Sequence, residues 1–420
     1  MTTVIKINDL DIMTGGYSTK VVSFPHSQRN QKTKQIVLEI NIAGTSQDDA
    51  LDKQKAILDE LYKIKDNKKD CILEIKPETT NSTFFEILNY SLQPSRVVDK
   101  RFTILATTKK LSNILTILVD NYGYASQVAL GSEGIPQATK TLPNYFDLSG
   151  IKGEIDAFAE IFMKLTSAND VHNIYYGIKS EKLIADITNF NPILEAESQT
   201  LTNMTLTADA DCRGGNKAYS DATYPIADWA TYIKFSLNKD NYKGRYLVLI
   251  RVENECTTAD VMKARLKYGN LYNDEYPFGE DENNKWQLIS LGEVKVPYSE
   301  TEQTSVDYEI QLKGNATDRI GIDYIVLLPI DECFGIRKGE LNPITQNDKY
   351  LVNTIKKIFS TYLQDVNDNN YYDRGNFFFL PKGDNRIVIV SDNNTDNKIT
   401  DSVSFWLNYV SRYFYLKGSN

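Results

Sequence analysis

The stretch Gly244-Arg-Tyr-Leu-Val-Leu-Ile-Arg-Val252 decides the reading of this chain. Its β-branched and aromatic residues lie between turn residues, so it predicts a strand buried in a core. It is far shorter than the roughly 20 apolar residues that a membrane-spanning helix needs. Similar runs surround it: Ile193-Leu-Glu-Ala-Glu197, Lys285-Trp-Gln-Leu-Ile-Ser-Leu-Gly-Glu-Val294, Val306-Asp-Tyr-Glu-Ile-Gln-Leu312 and Arg319-Ile-Gly-Ile-Asp-Tyr-Ile-Val-Leu-Leu-Pro329. Short strands separated by Gly and Asn turns predict a β-sandwich across residues 191–335.

Outward from this core the pattern stays mainly β. Residues 1–128 read as a strand-rich domain with one helix. Ile36-Val-Leu-Glu-Ile-Asn-Ile42 alternates as a strand. Leu51, Leu58, Leu61 and Tyr62 then recur at helical spacing around Gln54. Ser46 suits the helix N-cap, Asp48 and Asp49 the first turn, and Lys63 and Lys65 the last, which is the charge order a helix dipole favours. Cys71 to Ile75 is a strand stopped by Pro77, and Arg101 to Ala106 with Ile114 to Val119 predict a hairpin. On the far side, Asn144 to Ile155 follows a small-residue linker, and Ala157 to Leu165 and Val171 to Ile178 then read as strands. So do Asn376 to Leu380, Arg386 to Val390, Val403 to Tyr409 and Ser411 to Leu416. Residues 348–363 carry helical spacing but many β-branched positions, and strands are expected there. These pieces form a second β-sandwich, split between residues 129–190 and 336–420 and interrupted by the first. The ends of an insertion must lie close together at the surface. Pro192 at one junction, and Gly335 with Gly339 at the other, suit loops.

Composition narrows the function. The chain has 420 residues, 47 basic and 56 acidic, for a formal charge of −9, with 41% hydrophobic and 25% charged residues. This is the profile of a globular protein of two to three domains. The acidic balance opposes a protein that wraps nucleic acid. With only two histidines, His26 and His172, a multi-histidine metal site has no ligands to draw on. His172 lies among apolar residues and reads as a core or edge histidine. Cys71, Cys212, Cys256 and Cys333 form no C-x-x-C pair and read as buried reduced thiols of a protein made in the cytoplasm. The N-terminus lacks a signal-peptide core.

No catalytic constellation emerges, and an enzyme is not expected. There is no G-x-S-x-G elbow. Arg213-Gly-Gly-Asn216 lacks the lysine and spacing of a phosphate loop. Cys212 beside Arg213 is spoiled as a nucleophile by Asp209 and Asp211. Pairs of carboxylates are too plentiful among the acidic residues to single out a glycosidase.

The order of the pieces resembles the distal tail and minor tail proteins of long-tailed bacteriophages. The likeness lies in the strand ending Ala43-Gly-Thr45, the helix after it and the Leu73-Glu-Ile-Lys-Pro77 strand. It continues in Leu148-Ser-Gly-Ile-Lys-Gly-Glu154, in Leu380-Pro-Lys-Gly-Asp-Asn-Arg-Ile387 and in a closing Tyr-x-x-Arg-Tyr-Phe strand. Such proteins form rings, hexamers in this family, that link the tail tube to the tip complex while DNA passes through the lumen. The resemblance implies a virion structural protein whose partners are its own copies, the tail tube, the tape measure and the tail-tip hub. Its N-terminal domain would close the ring. An acidic lumen repels passing DNA rather than trapping it.

Residues 191–335 resemble a jelly-roll carbohydrate-binding module with a galactose-binding-like fold. Ile193 to Glu197 is similar to its opening strand, Gly244 to Arg251 to its central strand and Ile322 to Leu328 to its last strand. By position, the resemblance implies that Glu195, Glu197 and Asp323 hold a structural calcium, a hard ion that takes carboxylate oxygens. No other cofactor is required. Sugar sites use aromatic faces, and Trp229, Tyr232, Tyr268 and Trp286 are the candidates. Trp286 also fits the alternation of a core strand, whereas Trp229 follows Pro225 and Asp228 and reads as loop. The module would then attach the tail to a host surface glycan. The competing reading is a carbohydrate-binding adhesion or receptor-binding protein with no ring-forming role.

Overall fold

A computed structural model describes residues 4–23, 33–67, 71–76, 83–94, 110–120, 123–124, 127–153, 155–167, 170–184, 186–221, 227–256, 262–278, 286–297, 304–315, 317–338, 343–353, 358–363, 366–368, 372–376, 379–392 and 401–413. The protein is mainly β, built from antiparallel sheets. It divides into two compact units, one of residues 1–128, 152–157 and 410–420, the other of residues 129–151 and 158–409. No helix among the described residues is long and apolar enough to cross a membrane.

In the first unit, Thr33–Ala43 pairs antiparallel with Tyr17–Ser23 on one side and Lys110–Asp120 on the other. Lys110–Asp120 continues to Thr83–Pro94, then Cys71–Lys76, then Val4–Ile7. Strand geometry turns alternate side chains to one face, and here Ile36, Leu38, Ile40 and Ile42 point inward. Ile36 lies opposite Ile117 and Leu38 opposite Leu115 in the same core. The helix Gln47–Asn67 covers this face through Ala50, Ile57 and Leu61. Leu51 and Tyr62, expected on the buried stripe, are exposed. The buried line passes through Ala50 and Ile57 instead, so the helix is rotated about one position from the Leu-based reading. The helix start is as expected. Ser46 Oγ accepts the Asp49 N–H at 3.1 Å, and Asp49 Oδ2 accepts the Thr45 N–H at 2.6 Å. The expected strand at 101–106 lies outside the described residues. Its expected partner belongs to Lys110–Asp120, which pairs with Thr33–Ala43 and Thr83–Pro94.

In the second unit, one sheet runs in the order Asn144–Ile151, Gly383–Ser391, Asn173–Ser180, Cys333–Lys338 and Tyr372–Asn376. Another contains Ala138–Thr141, Ser402–Tyr413, Ile155–Leu165, Lys349–Asn353, Ile358–Leu363 and Val366–Asp368 in that order. The ambiguous segment at 348–363 is therefore strand at Lys349–Asn353 and Ile358–Leu363. Ser402–Tyr413 is one continuous strand rather than two pieces broken at Val410.

Asn173–Ser180 and Cys333–Lys338 are neighbours in register, with Ile178 opposite Cys333. The chain thus leaves the sheet at the end of one strand and re-enters it in the adjacent one. Between these points stand two further sheets. The first has the order Met204–Ala208, Asn216–Ser220, Arg319–Pro329, Gly244–Glu255 and Trp286–Val296, with Ile193–Glu195 also on Arg319–Pro329. The second has the order Thr200–Leu201, Ala230–Asn238, Ser305–Lys313, Lys263–Tyr268 and Leu271–Tyr272. Their inner faces share one core that includes Tyr232, Phe235, Val248, Ile250, Ile310 and Tyr324 and reaches Val388 and Val390 of the neighbouring sheet.

The joint is tight. A Cβ on Gly177 would lie 2.2 Å from the Pro329 carbonyl oxygen, so only glycine permits that approach. The buried Lys179 donates to the Lys243 carbonyl and lies 5.0 Å from the Tyr246 ring centroid. Arg386 reaches the Phe190 carbonyl.

Candidate functional site

Two regions of the inserted sheets gather chemistry. The first is a carboxylate cluster built on the loop between Met204–Ala208 and Asn216–Ser220. That loop folds on itself through Cys212 N–H to Asp209 C=O and Gly215 N–H to Cys212 C=O. It thereby presents Arg213 to two carboxylates. The Arg213 backbone N–H donates to Asp323 Oδ1 at 3.0 Å, and its guanidinium pairs with Glu195 Oε1 at 3.0 Å. Arg251, 1% exposed, donates to Asp323 Oδ2 at 2.6 Å and to the Asp211 carbonyl at 2.9 Å. Its guanidinium lies 4.3 Å from the Trp286 ring centroid. Lys217 pairs with Asp209 at 3.1 Å and also with Glu253.

Glu195, Glu197 and Asp323 do share this neighbourhood, and each glutamate raises the cost of ionising Asp323 or is itself opposed by it. Burial lifts the Glu195 carboxyl to about 7 against the pull of Arg213, with Asp323 and Glu197 adding to the rise. Burial also raises Asp323, opposed by Arg251. Glu195 ends its strand, and Glu197 sits in the short 3-10 turn Ala196–Ser198 rather than two residues further along one strand face. Glu197 nonetheless comes back to the loop, where its Oε1 fills the space a Cβ on Gly214 would need.

A buried polar atom ordinarily finds a partner. Glu195 Oε2 and Glu197 Oε2 are buried and have none. Two such oxygens suit a hard cation. Asp323 differs, because both of its oxygens are already engaged by Arg213 and Arg251. Among the described residues, no set of three or more His, Cys, Asp or Glu side chains is gathered to hold a metal.

The second region is aromatic. The four candidate aromatics do not form one site. Tyr232 is 0% exposed and Trp286 3% exposed, so neither offers a ring face to a sugar. Tyr232 belongs to the core between the two sheets, whereas Trp286 lies outside that core and is covered by Arg251, and burial overrules both as sugar platforms. Trp229 is half-buried and covers Arg265, whose guanidinium lies 4.1 Å from its centroid and 3.8 Å from that of Tyr272. Arg265 Nε donates to Gln311 Oε1 at 3.0 Å, which fixes the stack on the outer face of the sheet. Tyr268 is exposed and leans on the buried Tyr308, with centroids 5.3 Å apart. These two rings line a cleft of about 410 Å3.

Cys212 and Cys256 are buried free thiols, and burial raises both, Cys256 to about 12. His172 is half-buried beside Asp392, and its carbonyl accepts from Arg337.

Sequence reasoning missed Arg251, Arg265 and Tyr272. Arg251 carried a usable signal, since a charge inside Tyr246 to Val252 demands a buried partner.

No protein-family model matches the chain, and no curated protein matches it. Solved structures similar to it include phage baseplate proteins and carbohydrate-binding modules. A protein of the phage P2 baseplate in its activated conformation with calcium is 9% identical, covering 99% of this chain and 100% of that one, with a TM-score of 0.26. The carbohydrate-binding module CBM36, solved with calcium and xylotriose, is 17% identical over 32% of this chain and 96% of that one, with a TM-score of 0.22. A cycloisomaltooligosaccharide glucanotransferase of Paenibacillus sp. is 20% identical over 34% of this chain, with a TM-score of 0.24. This chain spans only 19% of that enzyme's length. The function proposed below rests on the residues of this chain.

Proposed function

We propose that this protein is a structural component of a bacteriophage tail, a distal tail or tail-tip hub protein that closes into a ring between the tail tube and the tip complex. Its inserted module would present a glycan-binding surface to the host cell. The observation that carries the reading is the interrupted sheet, in which Ile178 and Cys333 stand side by side while the described strands from Ile193 to Pro329 form a separate pair of sheets. The first unit, a helix packed on an antiparallel sheet, follows the layout that resembles the ring-forming domain of such tails. In this reading the partners are further copies of the chain, the tail tube, the tape measure and the hub, and no residue performs catalysis. Ring closure needs a heterologous interface whose rotation returns on itself. The solution mass tests it. A closed multiple of the 47.8 kDa chain is expected, and a monomer at all concentrations, with or without tail-tube protein, would contradict it.

A calcium ion in the module would be held by Glu195 and Glu197, whose unpartnered oxygens face the loop, with Asp323 fixing the loop behind them. Its contribution would be folding stability, because a cation that binds only the folded state stabilises it by mass action. Millimolar calcium should raise the unfolding temperature of the wild-type chain, and Glu197→Gln should remove most of that rise. An equal calcium response in both proteins would exclude these ligands.

A further inference from the structure

The cleft beside Tyr268 lies at the opposite end of the Gly244–Glu255 strand from the carboxylate cluster. Along that strand Glu253 pairs with Trp286, near the cluster, while Arg245 pairs with Lys295, near the cleft. The two regions are therefore separate sites on one scaffold.

The cleft has a floor and a wall of different character. Tyr308 is buried, and its hydroxyl donates to the Lys295 carbonyl at 3.1 Å, so the floor is fixed. Tyr268 and Leu271, 43% and 70% exposed, rise from the hairpin that joins their strands, and Pro297 closes the other side. Apolar side chains so exposed are costly unless something covers them. A volume of about 410 Å3 falls within the usual range for small-ligand sites.

The rim carries the specificity. Glu293 is spent on Arg245, with which it forms an ion pair. Lys295 is exposed, and no carboxylate among the described residues forms an ion pair with it. Among the described residues the rim thus bears one uncompensated positive charge on a chain whose formal charge is −9. An aromatic ring and a lysine lining one cleft match a ligand with an apolar face and an anionic group.

The geometry points to this cleft as the binding site for an acidic saccharide, a sugar unit stacked on Tyr268 with its carboxylate or phosphate on Lys295. The inference rests on the glycan-binding reading above and names the site and the ligand class. Trp229 and Tyr272 are not part of it, because their faces are occupied by Arg265.

The test uses the full chain on an array of neutral, uronate-bearing and phosphate-bearing oligosaccharides, followed by titration of whatever binds. Two variants are compared, Tyr268→Ala and Lys295→Gln. Acidic oligosaccharides are expected to bind. Lys295→Gln should weaken them by about tenfold, the scale of one charged hydrogen bond. Tyr268→Ala should weaken them by at least that much. Raised salt should weaken wild-type binding and leave the Lys295→Gln remainder nearly unchanged. Binding that survives both substitutions would overturn the cleft while leaving the glycan reading intact. Binding confined to neutral sugars, untouched by Lys295→Gln, would overturn the anionic assignment. No binding to any glycan would overturn the reading on which the inference rests.

Discussion

At the scale of single residues, Arg251 and Asp323 are the centre of the inserted module. They are 1% and 0% exposed and joined at 2.6 Å. A buried pair is costly to assemble and costlier to break, since the survivor keeps its charge without a counter-ion. Asp323→Ala should therefore destabilise the module by about 3–5 kcal/mol in urea unfolding followed by tryptophan fluorescence. Trp286 beneath Arg251 is the natural reporter. Asp392 gives a test of opposite character. Burial raises its carboxyl to about 6, against His172 and the N–H groups of Asn173 and His172 that favour the charged form. The folded state then holds its proton more tightly than the unfolded chain. Stability must fall as pH rises from about 4 to about 6 and stay level above that, by ~3 kcal/mol at most. Asp392→Asn removes the titration. The stability of wild type relative to this variant should drop across that window, and a difference constant with pH would refute the assignment. These residues were half legible. The carboxylates at 195, 197 and 323 could be named from a resemblance, but the cations opposite them could not. Nothing local to Arg213 or Arg251 says which strand's aspartate they meet, because the pairing is made by long-range sheet register.

At the scale of elements, alternation and caps were readable and stripe position was not. Ser46 was identifiable as a cap because capping is local chemistry, and it accepts the Asp49 N–H as expected. Ser46→Ala should cost about 1 kcal/mol, with a range of roughly 0.5–2. Circular dichroism is the suitable probe, because Trp229, Trp286 and Trp406 all lie in the other unit. An unchanged midpoint for the first unit would show that the cap is redundant. The buried face of the same helix was misjudged because Ala50 lines it and Leu51 does not. Large apolar residues dominate a pattern reading, whereas packing against the Ile36 to Ile42 face selects by direction. Thr83–Pro94 was missed altogether. Its Thr-Phe-Phe-Glu-Ile-Leu-Asn-Tyr sequence mixes both periods, and the ladder with Lys110–Asp120 decides its state. Tyr232 and Trp286 illustrate the same limit for function. Their residue type suits a sugar, but Tyr232 falls in the inter-sheet core and Trp286 lies under Arg251, so both are buried.

At the scale of the whole molecule, the informative feature is a topological one. The mainly β character followed directly from strand after strand of β-branched and aromatic residues. An interrupted sheet can also be suspected from sequence, when a module-like run lies between two stretches of a different pattern. What sequence does not contain is the quality of the joint. The contact between Gly177 and the Pro329 carbonyl, and the shared core at Val388 and Val390, show that the insert is packed onto its host sheet and not tethered to it. A module held in this way can transmit position, which suits a component of an assembly whose parts must be placed reproducibly. The Tyr268 cleft and the carboxylate cluster lie at opposite ends of one strand pair. The central claim is that many copies of the chain are arranged around an axis. Electron microscopy of the purified protein in negative stain tests that most directly. The account predicts closed rings with a central hole wide enough for duplex DNA, formed alone or on addition of tail-tube protein. Isolated single particles under both conditions would contradict it and leave a monomeric glycan-binding protein in its place.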